Sequence, residues 1–515
     1  MNVPVALKRK VGIIDLGSNS ARLMVAHFDP GRAYRITDEI SRRVRLSEGM
    51  ASGGRLRAPA ILRAVQTIRM FKAFCDGHAI RRIVPVATAA VRDAANQTAF
   101  LAQLRAATGL QFRVLDGERE AYFGVLGVIN GLGLRDGLVM DVGGGSAEVS
   151  LVRRGRFRRG DTTPLGAVRL TEMFLSNGEA TAQPGAVARM EAYIADHFRP
   201  MPWMALDPDQ EFVGIGGTVR ALARMDREAR AYPFALTNGY VLSRDRLAAM
   251  TARLAELPVS ERVRAFPGLQ PDRADIILAG ALVVLGALRM VGAHRLTVGG
   301  HGLREGLFFR EFLRPRDPPI IRNLREFSVM NLARLYGYEA EHAGHVARLA
   351  LSLFDQLADR HDLGDQEREW LWAAGMLHDI GTIVDYYDHH KHSAYIILNA
   401  GLPGYTHHET AMIALLCRFH RKGRPAFDEF RALPEPEDAV RADQLSALLR
   451  LAEYLDRSRT RNVVRLQLVD DGRRTLRLRA RTRRGADSRV EIWEAQRNAD
   501  LFEAAFNCRL EIVQE

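Results

Sequence analysis

Two segments of the chain set an aspartate in the same surroundings. Residues 11–25 read VGIIDLGSNSARLMV and residues 138–152 read LVMDVGGGSAEVSLV, each an apolar run closed by Asp15 or Asp141, a turn of small residues, and a second apolar run. The pattern predicts a strand, a tight turn and a returning strand, with a carboxylate at the first strand's tip and backbone N–H groups bared beside it. A turn of that kind can hold a phosphate. Two copies predict a duplicated domain whose halves face each other across a cleft, with Asp15 and Asp141 on opposite sides of a metal–phosphate complex. One copy alone would read as an ordinary Asp/Gly hairpin. Two further glycine turns, VGIGGT at 213–218 and VGGHGLREG at 298–306, each follow a strand-like segment and precede a helical one. Glycine costs backbone entropy wherever it is not required, so four such turns point to phosphate binding.

The elements that must carry these turns fall into four stretches. Residues 1–124 read as strands followed by helices, with helical apolar spacing over 58–73 and a buried strand over 82–87. Residues 125–312 hold the other three glycine turns. The segment RPRDPPII at 314–321 looks like a linker. Residues 322–460 are expected to be all helical and carry most of the histidines. Residues 461–515 are expected to form a small α+β domain: VVRLQLVDDGRRTLRLRARTRR alternates, Asp471-Gly472 reads as a hairpin turn, and Leu476 and Leu478 fall on the face opposite Arg477, Arg479 and Arg481.

With 515 residues the chain should hold three or four domains at roughly 100–200 residues each. Its 73 Lys and Arg against 61 Asp and Glu give a net charge of +12, which favours polyanionic partners without choosing among nucleic acid, an anionic membrane and inorganic polyphosphate. Five arginines at 153, 154, 156, 158 and 159 either guide such a partner or form a solvated surface. Three cysteines, widely spaced, exclude a disulfide framework and favour a reducing compartment. The longest apolar run, 276–288, is too short to span a bilayer, and the basic residues at 8–10 lead into a strand rather than a signal segment. A cytoplasmic protein without a membrane partner is expected.

The motifs DLGSNS at 15–20, TAAVRDAAN at 88–96, GEREA at 117–121, DVGGGSAE at 141–148, GIGGT at 214–218 and GLREG at 302–306 resemble, in order, those of the exopolyphosphatase and guanosine pentaphosphate phosphohydrolase family. That family lies within the acetate kinase, sugar kinase, Hsp70 and actin superfold. The resemblance implies an α/β fold of duplicated actin-like (ribonuclease H-like) domains and metal-dependent hydrolysis of terminal phosphoanhydride bonds. It places the catalytic carboxylate on Glu120, near the start of a helix that Asp116 can cap, as general base toward the attacking water. Asp15, Asp141 and Glu148 would hold Mg²⁺. Ser18, Asn19, Ser20, Gly144, Gly145, Ser146, Gly217 and Thr218 would cradle phosphates, and Arg92 would add a fork to one of them.

The implied substrate is inorganic polyphosphate, cleaved processively, with pppGpp (and ppGpp as a related ligand) the alternative. A kinase of the same superfold is disfavoured by a water-directing Glu opposite the phosphate turns, and Glu120 likewise argues against a catalytically idle polyphosphate- or nucleotide-binding regulator. The family leads us to expect a homodimer and no nucleic-acid partner.

AAGMLHDIG at 373–381 sets His378 beside Asp379 and resembles the HD phosphohydrolase superfamily. That resemblance implies a metal site of His342, with His345 the competing choice, His378, Asp379 and Asp456. Further ligands could come from His392 or His420. Such a donor set suits Mn²⁺, Fe²⁺ or Zn²⁺, although the stretch containing His389, His390 and His392 also reads as a polar loop.

Overall fold

A computed structural model describes residues 4–50, 53–175, 185–427, 433–471 and 474–515. The chain separates into two compact units, one of Leu7–Tyr232 with Leu236–Leu324, the other of Met1–Ala6, Pro233–Ala235 and Arg325–Glu515. No helix among the described residues is long and apolar enough to cross a membrane.

The first unit contains the same sheet plan twice. Strands β1 (Arg9–Leu16), β2 (Ser20–Asp29) and β3 (Ala33–Arg43) form an antiparallel meander, and β4 (Arg82–Ala87) and β5 (Arg113–Val114) extend it in parallel, giving the order β3-β2-β1-β4-β5. The second meander is β6 (Gly137–Val142), β7 (Ala147–Arg153) and β8 (Arg156–Thr163). It is extended by β9 (Glu211–Ile215), β10 (Val241–Ser243) and β11 (Arg295–Val298) in the order β10-β11-β9-β6-β7-β8. Both repeated phrases of the sequence are the first hairpins of these meanders.

Val11, Ile13, Ile14 and Leu16 are fully buried along β1, two on each face, so the strand is covered on both sides, and a one-residue slip would put each side chain in the space shaped for a neighbour on the other face. The same slip would carry Asp15 out of its site. The helix Ala58–Gly77 covers the first sheet with Ala60, Ala64, Ile68, Phe71 and Cys75, one apolar face at helical spacing. The helix Ile277–Met290 is buried almost all round in the second half, which is why its sequence reads as an unbroken apolar run.

In the second unit, helices Ala340–Gln356, Asp365–Leu377, His389–Ala400, His407–Phe419 and Asp438–Tyr454 are followed by β12 (Val463–Asp470), β13 (Thr475–Thr482) and β14 (Arg509–Gln514), with β12 antiparallel and β14 parallel to β13. Leu476 and Leu478 are buried while Arg477 and Arg481 are exposed, the alternation read from the sequence. Gly472 of the expected hairpin turn lies outside the described residues. Leu448 of the helices and Leu478 and Phe502 of the tail share one buried cluster, so the division expected at 460/461 runs inside a single compact unit.

Candidate active site

The turns that end β1 and β6 meet. A Cβ added to Gly144 would lie 3.2 Å from Cβ of Ser18 and 3.3 Å from Cβ of Asn19, so the two small-residue turns can approach only because one side of the contact is glycine. Around this contact is a cleft of about 120 Å³. The eight residues expected to cradle phosphates all line it: Ser18, Asn19 and Ser20 from the first turn, Gly144, Gly145 and Ser146 from the second, and Gly217 and Thr218 from the start of the helix Gly216–Ala229. Gly216 adopts φ +90°, and a Cβ there would fall 2.2 Å from Oδ1 of Asp141, so this turn closes directly over the second aspartate.

Four carboxylates enter the same space: Asp15, Glu120, Asp141 and Glu148. Asp141 and Glu148 are partners across the β6–β7 ladder, and Ser146 Oγ donates to Glu148 Oε1 at 2.6 Å. Glu120 comes from the helix Gly117–Leu132, whose N-cap Asp116 accepts from the Arg119 N–H at 2.8 Å. Burial raises all four above the usual carboxylate range, and mutual repulsion adds to it, with Asp141 at about 6 and Glu120 at about 7. Arg92 opposes the rise at Glu120.

Arg92 does not line the cleft. Its Nη1 donates to Glu120 Oε2 at 2.8 Å and to the Leu115 carbonyl at 3.1 Å, so it grips the glutamate from behind rather than reaching for a phosphate. The short helix Ala89–Arg92 and the start of Gly117–Leu132 stand close enough for the guanidinium to be taken up by the carboxylate. The arginines at 153–159 do not line the cleft either. Arg159 pairs with Asp161 at 2.9 Å and lies over Trp203, and Arg154, Arg156 and Arg158 are exposed.

The positive charge of the cleft comes from residues that sequence reasoning passed over, Arg22, Arg220, Arg273 and Arg304. The same four, with Arg224, line an adjoining cavity of about 500 Å³. Arg304 is paired with Glu39 at 3.0 Å. Arg22, Arg220 and Arg273 have no carboxylate within salt-bridge distance among the described residues. Burial and neighbouring guanidinium groups hold Arg22 and Arg273 down to about 10. Cations this deeply buried and this close to one another repel, so the group asks for an anion between them. Three of the four had a signal in the motifs: Arg22 lies two residues beyond the DLGSNS turn, Arg220 two beyond GIGGT, and Arg304 within GLREG. Arg273 had none.

A family model of the Ppx/GppA phosphatase family matches residues 24–315, more than half of the chain, and one of Ppx/GppA phosphatase domain III matches residues 324–495. The chain belongs to the Ppx/GppA phosphatase family. A solved Aquifex aeolicus member of that family is 29% identical, covering 59% of this chain and 97% of its own with a TM-score of 0.51. A second Aquifex aeolicus Ppx/GppA structure is 30% identical, covering 58% and 98% with a TM-score of 0.50. An exopolyphosphatase from Cytophaga hutchinsonii, 24% identical over 59% and 98% with a TM-score of 0.55, shares the fold. The twice-built sheets are thus the actin-like α/β architecture of this phosphatase family, with a helical region following.

In the second unit, His342, His378 and Asp379 come together, and Asp379 also meets His389 and His420. Asp456, expected as the fourth ligand, accepts from Nδ1 of His342 at 2.8 Å just past the helix Asp438–Tyr454, and Glu453 in that helix's last turn faces the two imidazole Nε2 atoms. His345, the competing choice, lies beside Arg348 outside this group. His392 is outside it as well, and His389 stands in the place foreseen for it.

Proposed function

We propose that this Ppx/GppA phosphatase is an exopolyphosphatase, removing terminal phosphates from inorganic polyphosphate as orthophosphate. The observation that carries the reading is the run of guanidinium groups leading from the glycine turns into the adjoining cavity, of which Arg22, Arg220 and Arg273 make no salt bridge among the described residues and crowd one another. A linear polyanion supplies counter-charge along its whole length.

In this reading the turns at 17–20 and 143–146 and the start of Gly216–Ala229 donate backbone N–H groups and hydroxyls to the terminal phosphate, while Arg22, Arg220, Arg273 and Arg304 take the following ones. Glu120 orients a water and accepts its proton as the water oxygen bonds to phosphorus. The bridging P–O bond breaks in line, and the shortened chain leaves with the electron pair. A carboxylate near 7 suits this task, being ionised in part at neutral pH yet basic enough to take the proton. Arg92 fixes the carboxylate's direction.

The cleft also suits a divalent cation. Asp15 Oδ1 is buried without a hydrogen-bond partner, and the crowding of four carboxylates is relieved by positive charge at their centre. Asp15, Asp141 and Glu148 would hold Mg²⁺, whose chemistry is to neutralise charge on the transferring phosphoryl oxygens.

The test is orthophosphate release from long-chain polyphosphate and from pppGpp under matched conditions. Preferred hydrolysis of polyphosphate is expected. A strong preference for pppGpp would overturn the substrate assignment, and binding of either without turnover would make the protein a regulator.

A further inference from the structure

Arg273 stands in a single turn, Pro271–Arg273, that leads through Ala274, Asp275 and Ile276 into the helix Ile277–Met290. Its guanidinium lies over the third phosphate turn, where a Cβ at Gly217 would fall 2.2 Å from Nη2. Burial and the charge of Arg22 weigh against a cation at this place, and Asp272 and Asp275 weigh in its favour. Two guanidinium groups brought together in a buried cleft repel, so Arg273 stays beside Arg22 only if the turn that carries it is pinned.

It is pinned from both halves of the unit. From its own half, the buried Arg262 donates through Nη1 to the Ala274 carbonyl at 2.9 Å and through Nε to the Leu257 carbonyl at 3.2 Å. From the first half, Arg43 at the end of β3 donates through Nη2 to Asp275 Oδ2 at 3.0 Å, and Arg45 donates to the same oxygen. Arg45 is in turn fixed to the first phosphate turn. Its N–H donates to the Asn19 carbonyl at 2.9 Å, beside that of Val44 at 3.0 Å, and the Ser47 N–H donates to the Ser18 carbonyl at 3.2 Å. Arg45 adopts φ +45°, a left-handed backbone that a residue with a bulky side chain takes only where its surroundings impose it. A connected path therefore runs from the turn at 17–20 through Arg45 and Asp275 to the turn that bears Arg273.

We propose that Asp275 is a positioning residue for substrate binding: clasped by Arg43 and Arg45, it sets the spacing between the phosphate seat at 17–20 and the Arg273 guanidinium, so that the cleft engages successive groups of one linear polyanion together. The inference rests on the cleft being a polyphosphate site. Asp275 itself lines neither the cleft nor the adjoining cavity, so it acts through Arg273 rather than on substrate. The sign of its effect separates a clasp from a bare charge. A lone carboxylate near an anion site repels the anion, and its removal tightens binding. Removal of a clasp frees the turn, lets Arg273 retreat from Arg22 and weakens binding.

The experiment is a double-mutant cycle on the full chain, read as orthophosphate release from long-chain polyphosphate. Asp275→Asn is expected to raise KM about tenfold with kcat within about threefold of the parent, and Asp275→Glu, which keeps the carboxylate, to recover most of the loss. In a chain already carrying Arg273→Gln, Asp275→Asn should add less than about twofold to KM, because the group it positions is gone. A lowered KM in Asp275→Asn would make the residue a repulsive charge and overturn the clasp. Independent effects in the cycle, or a fall in kcat together with a lowered Tm, would make it a prop of the fold and overturn the inference as well. Should Asp275→Asn fail to fold, Arg43→Gln with Arg45→Gln releases the clasp from the other side and enters the same cycle. A parent chain that releases nothing from polyphosphate refutes the substrate assignment instead, and the cycle is then read on pppGpp, whose phosphates would meet the same turn and the same arginine.

Discussion

Arg22 stands opposite Asp15 across the first hairpin at the position that Glu148 takes opposite Asp141 on the second. The two halves repeat the same backbone and place the same aspartate, yet they have set opposite charges at the facing position. In the proposed function one half thereby offers a cation to the phosphate chain and the other a further oxygen ligand beside the aspartate. The two substitutions should therefore differ in kind. Arg22→Gln is expected to raise KM for polyphosphate by about 10–100-fold, the loss of a charge-assisted contact of roughly 1.5–3 kcal/mol. Glu148→Gln is expected to raise the Mg²⁺ concentration needed for half-maximal rate. Phosphate-release kinetics at varied substrate and varied Mg²⁺ separate the two, and equal effects on both axes would contradict the division.

Glu120→Gln keeps the shape and the hydrogen-bonding capacity of the side chain while removing the base. The expected result is a fall in kcat of about 10²–10⁴-fold with KM nearly unchanged, the usual size of a general-base contribution. A variant that hydrolyses polyphosphate as well as the parent removes Glu120 from the mechanism.

In the proposed mechanism hydrolysis requires ionised Glu120, so activity should fall as pH drops through its value near 7, where burial holds it against the pull of Arg92. Arg92 stabilises the anion, and its removal must raise that value. Arg92→Ala is therefore expected to move the acid limb of the kcat–pH profile to higher pH and to lower the plateau, because the carboxylate also loses its 2.8 Å tether. An unmoved limb, with only the plateau reduced, would restrict Arg92 to orientation.

Features set by local chemistry were legible in the sequence, and features set by packing were not. The two Asp-bearing hairpins and the Asp116 cap depend on neighbours within a few residues, and the patterns VGIIDLGSNS, LVMDVGGGSAE and DGEREA carry them. Arg273 reaches the cleft from a turn about 50 residues beyond the glycines it serves, in a segment whose composition marks nothing. Glu453 lies in the last turn of its helix and Asp456 three residues on, just past its end, so spacing alone could not tell which faces Nε2 of His342 and which holds Nδ1. The pairing of Arg92 with Glu120 was hidden for the same reason: the two lie 28 residues apart.

Gly306 shows how a motif can be read for the wrong cause. The GLREG glycine looks like part of a phosphate turn, but the helix Leu303–Phe312 packs there on the helix Gly117–Leu132, and a Cβ at Gly306 would lie 1.9 Å from the Phe123 carbonyl. Backbone cannot yield as a flexible side chain would, so Gly306→Ala must part the two helices, at a cost of about 1–3 kcal/mol. The helix that moves is the one carrying Glu120. Thermal unfolding should show a lowered Tm, and the same variant should lose kcat more than KM, because substrate meets the turns at 17–20 and 143–146 unchanged while the base is displaced. A variant with lowered Tm and full kcat would mean that the base tolerates the shift and that the glycine serves stability alone.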